Sequence, residues 1–163
     1  MTELANLNIT KNVIYKIDGL ENCKKLSNLN ISFNKLGKYA EKDNIPCVES
    51  LLGLISCPSI TTLDLQNNYI TDANVVEEIF EKLPNLAVLY LKGNPFIRKI
   101  KNYRKTLIAR IPSLTYLDDR PIEEAERRRA YAFAEGNEDA EKLEMIKIKQ
   151  EAVEKREVAL TTF

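Results

Sequence analysis

Apolar and polar positions recur along the first two thirds of the chain in one pattern, L-x-x-L-x-L-x-x-N-x-L, with Leu, Ile or Phe at the apolar places. Leu4, Leu7, Ile9, Asn12 and Ile14 fit it, as do Leu26, Leu29, Ile31, Asn34 and Leu36. Ile60, Leu63, Leu65, Asn68 and Ile70 make a third copy, and Leu86, Leu89, Leu91, Asn94 and Phe96 a fourth. The asparagines lie 22, 34 and 26 residues apart. Alternation around the fourth and sixth positions predicts a short strand whose leucines point inward and whose intervening residues point out. The asparagine leaves the strand, where its amide satisfies backbone groups that stacking would otherwise bury unpaired. A single copy cannot bury its apolar side, so the copies stack and the ends need caps.

The connections predict helices on the opposite side. From Gly37 to Ser59, Val48, Leu51, Leu52 and Ile55 fall at helical spacing behind Asp43 or Asn44 as caps and Pro46 near the first turn. Asp72 precedes Val75, Val76, Ile79, Phe80 and Leu83, and Pro84 ends that run. A fifth copy begins at Leu114 but has Asp119 at its sixth position, followed by Arg120-Pro121, so the inward ladder stops there. Ahead of it, Ile100, Tyr103 and Leu107 form one face of a capping helix, with Arg98, Lys101 and Lys105 on its outer side. The first copy starts at Leu4 with nothing before it, so missing upstream sequence or a partner is expected at that edge strand. The predicted fold is an α/β solenoid, a short horseshoe of about five parallel strands on the concave face with helices or turns on the convex face. It occupies residues 1–121.

Residues 122–163 are compositionally different, holding 19 of the 48 charged side chains. Glu123 and Glu124 precede Arg127, Arg128 and Arg129, the acid-before-base order an exposed helix prefers. Gly136-Asn137 interrupts the helix, and Leu143, Ile146, Gln150 and Val153 make a narrow stripe after it. The expectation is a charged, lever-like helix held by a partner.

Outward strand positions form columns. The first holds Asn6, Asn28, Thr62, Val88 and Tyr116; the second Asn8, Asn30, Asp64, Tyr90 and Asp118; the third Thr10, Ser32, Gln66 and Lys92. One end is bland and polar, while the other carries two tyrosines, which combine apolar area with a hydroxyl at low rotamer entropy. Asp64, Val88, Tyr90, Lys92, Tyr116 and Asp118 are the candidate partner-binding residues. Arg98, Lys101 and Lys105, with Lys99, Arg104 and Arg110 beside them, form a basic patch.

Composition narrows the chemistry. The chain has 24 basic and 24 acidic residues and no histidine. That removes Ser-His and Cys-His nucleophiles and His-bearing zinc sites. Zero net charge speaks against a general polyanion binder. Asp118-Asp119 has no convergent ligand or base beside it, and local capping accounts for it better. No catalytic residue, cofactor, metal or small-molecule substrate is assigned. Asn8-Ile9-Thr10 and Asn30-Ile31-Ser32 match the glycosylation acceptor pattern only because they occupy one place in the repeat. Cys23, Cys47 and Cys57 show no C-x-x-C pair and read as buried free thiols. No secretory signal or run of about 18 apolar residues is present, so an intracellular protein without a membrane span is expected.

The four copies resemble the 22-residue class of leucine-rich repeats, and residues 89–121 resemble its C-terminal cap. Asn102-Tyr103-Arg104 and Tyr116-Leu117-Asp118-Asp119-Arg120-Pro121 are similar, more specifically, to the ciliary leucine-rich-repeat family that assembles axonemal dyneins. That resemblance implies a non-enzymatic scaffold in assembly or docking of dynein arms, in the cytoplasm or on the axoneme. Its implied partners are dynein subunits, assembly factors or axonemal proteins; the basic patch by itself suits tubulin's acidic tails, an acidic protein or RNA. Two alternatives stay open: a structural axonemal component on doublets or a dynein or spoke complex, and a regulatory subunit of a protein phosphatase.

Overall fold

The computed structural model describes residues 3–38 and 45–162. Four three-residue strands, β1 (Asn6–Asn8), β2 (Asn28–Asn30), β3 (Thr62–Asp64) and β4 (Val88–Tyr90), come from the four copies. They pair in parallel and in chain order, and β5 (Tyr116–Leu117) continues the series. The central leucines align as Leu7, Leu29, Leu63, Leu89 and Leu117, and the last four are buried. A sixth strand, β6 (Arg120–Pro121), turns back antiparallel on β5, pairing Leu117 with Arg120. The pattern predicted the five parallel strands but read Arg120-Pro121 as a plain exit. Pro121 is tolerated because β6 lies at the sheet edge, where one row of donors is dispensable.

Asparagine amides hold successive copies together. Asn34 Nδ2 donates to its own Ile31 carbonyl and to Ile9 of the preceding copy, while its Oδ1 accepts from Ile14 N. Asn68 repeats this with Leu65, Ile31 and Leu36, and Asn94 with Leu91, Leu65 and Ile70. All three are buried, whereas Asn12 is exposed and, among the described residues, bonds Ile9 and Thr10 of its own turn.

The residue before each of these asparagines is left-handed: Lys11 (φ 55°), Phe33 (φ 54°), Asn67 (φ 53°) and Gly93 (φ 78°). A Cβ at Gly93 would also meet the Asn67 side-chain amide, which would have to shift. Left-handed backbone costs an ordinary side chain about 1–2 kcal/mol, and a bulky one such as Phe33 is the worst suited.

The convex side is built from tight turns. Between β2 and β3 the helix is a 3-10 helix, Glu49–Ser56, so its buried positions follow a period of three: Leu51 and Leu54 lie inside, with Cys57 next in the series. This corrects the α-helical reading, under which Leu52 and Ile55 faced inward; both are exposed. The predicted caps Asp43 and Asn44 lie outside the described residues. After β3 comes a single α turn, α1 (Val75–Glu78), and a 3-10 turn, Phe80–Lys82, and all five predicted apolar residues there are buried. Cys23, Cys47 and Cys57 are buried and free, and burial, with Cys23 nearby, pushes the Cys57 thiol up.

The cap consists of α2 (Tyr103–Arg110) and the first arm of α3 (Glu124–Thr161). Gly136 and Asn137 (φ 63°) break α3. A straight helix would separate Arg128 from Glu151 by about 34 Å, yet their side chains bond at 2.6 Å, so the second arm folds back on the first. The lever expected from sequence is therefore a helical hairpin. Its first arm packs on α2, burying Ala130, while Leu143, Ile146 and Val153 of the second arm remain exposed. Arg104 pairs with Glu126, and Lys105 and Arg129 converge on buried Glu141.

Replacing Asn68 by Ala strands the buried Leu36 N–H and leaves the Ile31 and Leu65 carbonyls with only the amides of Asn34 and Asn94, and is expected to lower unfolding free energy by about 1–3 kcal/mol, measured by urea denaturation. Burial opposes ionisation of Glu141, but hydrogen bonds from Lys105 and Arg129 outweigh it and hold the carboxyl below its ordinary value of 4.5; Arg104 does the same for Glu126. A carboxyl depressed in the folded state stabilises above its unfolded pKa and stops doing so as pH falls through the folded one. Glu141→Gln is therefore expected to lower the Tm by about 3 °C at neutral pH. That difference should close below the ordinary carboxylate value.

Candidate functional site

The backbone register generates the surface that the columns predicted. Asn6, Asn28, Thr62, Val88 and Tyr116 stand side by side across the sheet, and Asn8, Asn30, Asp64 and Tyr90 form the next row. Adjacent parallel strands lie about 4.8 Å apart, so neighbours in a row touch. Tyr90 and Tyr116 pack with ring centroids 5.8 Å apart and planes tilted by 52°. Val88 lies beside Tyr116 in register, and all three are half-buried. An apolar, aromatic end of the concave face results, with Asp64 next to Tyr90.

Not every predicted residue faces outward freely. Asp64 Oδ1 accepts from Gln66 N, a turn that Asn8 and Asn30 also make with Thr10 and Ser32. Lys92 pairs with Asp119, and that hydrogen bond raises its pKa. Asp118 is a correction: its backbone is left-handed, and the side chain turns from the column into the cap. There Oδ1 accepts from Leu91 N at 2.7 Å and Oδ2 from the Tyr103 hydroxyl at 2.8 Å. Two parallel strands ending in a two-residue reversal need a local acceptor, and Asp118 supplies it. Burial, and then the Asp118 charge, push the Tyr103 hydroxyl far above the usual phenol range.

The basic patch is also thinned. Lys105 bonds Glu141 and lies 4.9 Å from the Phe133 ring, in the interface between α2 and α3. Arg104 is engaged by Glu126 and the Leu117 and Pro121 carbonyls, and Arg110 by Glu77 and Glu81. The outer face expected for the capping helix is covered because the acidic tail folds onto it. Arg98, Lys99 and Lys101 remain exposed on the segment before α2.

The geometry adds a depression of about 360 Å³ at the polar end, floored by Asn6, Asn28, Asn8, Asn30 and Thr62 and walled by Asp64 and Tyr90. Its signal was the doubled Asn-Leu-Asn of β1 and β2, which places two amide pairs on one face. Among the described residues no group of three or more Cys, Asp or Glu is arranged to hold a metal ion, and no helix is long and apolar enough to cross a membrane. What the face can do chemically is bury a partner's side chains against two tyrosines while its amides and Asp64 align polar groups.

Tyr103→Phe removes one of the donors to Asp118 and is expected to cost about 1–2 kcal/mol. Thermal unfolding of the variant checks it, and an unchanged Tm would remove Asp118 as the clasp of the cap.

With this geometry established, comparisons place the chain among known proteins. A family model described as leucine-rich repeat matches residues 2–147. The chain is similar to the leucine-rich repeat-containing protein ODA7 of Chlamydomonas reinhardtii, 46% identical over 108 residues, which is 66% of this chain and 25% of that protein. It is similar to human dynein axonemal assembly factor 1, 46% identical over 91 residues, 56% of this chain and 12% of the relative. The Drosophila melanogaster homolog of that factor is 43% identical over 119 residues, 73% of this chain and 7% of the relative. The chain thus spans a quarter or less of the length of these relatives. In fold it is similar to a chain of the crystal structure of the Drosophila melanogaster SNF/U2A' complex, with a TM-score of 0.65 at 20% identity, covering 87% of this chain and 74% of that one.

Proposed function

The chain belongs to the leucine-rich-repeat family, and on that premise we propose that it is a protein-interaction module in the assembly of axonemal dynein arms. Relatives named for axonemal dynein assembly, at 40–46% identity, support the process. The concave face supports the means. Family membership and these relatives point to a non-enzymatic interaction role. In this reading the partners are dynein subunits or other assembly factors, met in the cytoplasm before arms reach the axoneme.

The observation that carries the reading is the pair Tyr90 and Tyr116, with Val88 in register beside Tyr116, on a face whose register is set by the stacked strands. Half-buried tyrosines in contact lose little entropy on binding and present apolar area with a hydroxyl at its rim. The polar depression next to them fixes orientation, because unpaired amides opposite a misaligned partner cost free energy.

Replacing Tyr90 and Tyr116 together by Ala leaves the inward leucines untouched. The variant is expected to keep its Tm within a few degrees and to recover about tenfold less dynein heavy chain from ciliated-cell cytosol than wild type. Equal recovery by affinity purification and quantitative mass spectrometry would remove the concave face from the function.

A further inference from the structure

One edge of the solenoid differs from the rest of the molecule in charge. The turns that leave the C-terminal ends of β1 to β4, residues 10–17, 32–38, 66–71 and 92–101, hold eight Lys and Arg and no Asp or Glu, in a chain whose net charge is zero; the turn after β5 brings Asp118 and Asp119. Glu49 takes Lys16 and Asp119 takes Lys92. Among the described residues the other six form no ion pair, whereas lysines elsewhere do, as in Lys25 with Glu3 and Lys82 with Glu78.

Aromatic rings lie in the same edge, and the cations sit on them. Lys11 Nζ is 6.0 Å from the Phe33 centroid, and Lys35 and Lys38 Nζ are each 5.1 Å from that of Tyr69. The rows are continuous: Lys11 N donates to Ser32 O, Phe33 N to Gln66 O and Tyr69 N to Leu36 O, and Lys99 Nζ reaches the Thr71 carbonyl at 2.7 Å.

Phe33 is the anomaly. It takes the left-handed position that Asn67 and Gly93 occupy in the next two copies, and it is 51% exposed, so burial within the fold does not repay the backbone conformation. Phe33, like Lys11 in the first copy, therefore holds a backbone conformation that an Asn would hold at lower cost.

We propose that this edge binds an extended acidic segment of a protein partner. Carboxylates would neutralise Lys11, Lys35 and Lys38, with Lys99 at the far end, while the segment's backbone and side-chain stems cover Phe33. Four rows at strand spacing span about 14 Å, the reach of four or five extended residues. A nucleic acid fits less well. Bases stacking on Phe33 and Tyr69, the contact on which single-strand binding depends, would compete with the ammonium groups of Lys11, Lys35 and Lys38 for the rings, whereas an acidic segment leaves those groups in place. The surface lies apart from Tyr90 and Tyr116, and the inference does not rest on the concave-face reading.

The test is fluorescence anisotropy of the full chain with a fluorescein-labelled hexaglutamate peptide, and with labelled hexathymidylate as comparator. Hexaglutamate is expected to bind with an affinity that falls as salt is raised, and the double variant Lys11→Glu, Lys35→Glu is expected to weaken it at least about tenfold. Phe33→Asn suits the left-handed backbone, so it is expected to fold at least as stably as wild type while binding the peptide more weakly. That separates recognition from folding. Tyr90→Ala with Tyr116→Ala is expected to leave peptide affinity unchanged, which separates this surface from the concave face. Absence of peptide binding, tighter binding of hexathymidylate, or indifference to the two lysine reversals would overturn the proposal.

Discussion

The buried asparagine amide that joins each copy to the one before it is the interaction on which the structure depends. Asn34, Asn68 and Asn94 each donate to a carbonyl of their own turn and one of the preceding turn, and accept from a backbone N–H of the preceding copy. A side chain with two donors and an acceptor is the smallest group able to close all three bonds, and a buried backbone group left open would cost more than a typical packing contact. These amides fix the height of each turn against its neighbour. The strands are then held in register, and register places Tyr90 against Tyr116 and Asn6 beside Asn28. The concave face proposed to bind a partner is in this sense a by-product of hydrogen bonds made on its flank.

A stack must also end. At the C-terminal end Asp118 receives the Leu91 N–H and the Tyr103 hydroxyl, β6 folds back on β5, and Arg104 ties the hairpin to Glu126. The helical hairpin of α3 then brings Glu141 onto Lys105 and Arg129. Glu126, Arg127 and Glu141 of the tail close the solenoid, and Arg128 and Arg129 pair within the hairpin. On the strand-exit edge Lys16 and Lys92 are paired, while among the described residues the other six cations form no ion pair.

Much of this was legible in the sequence because the repeat is periodic and physics at each position is the same. Leu, Asn and the outward columns fell where the template put them. Where the structure departs, something nonlocal or a different period intervened. Leu54 rather than Leu52 and Ile55 faces the core because the short convex segment winds as a 3-10 helix, a choice that apolar spacing over eight residues does not distinguish. Asp118 left its column, and Lys105 left the basic face, because each found a partner many residues away, Tyr103 and Glu141. The reversal at Gly136-Asn137 was visible as an interruption, but its direction depends on Arg128 reaching Glu144 and Glu151, which no local pattern specifies.

The proposed work is done before the dynein arm is in place, so where the protein resides in the cell bears on it directly. The measurement is fractionation of ciliated cells into cytosol, membrane-matrix and salt-washed axonemes, with quantitative mass spectrometry of this chain in each. A cytosolic pool that travels with dynein heavy chains is the expected result. Retention on salt-washed axonemes with no such cytosolic pool would contradict an assembly role.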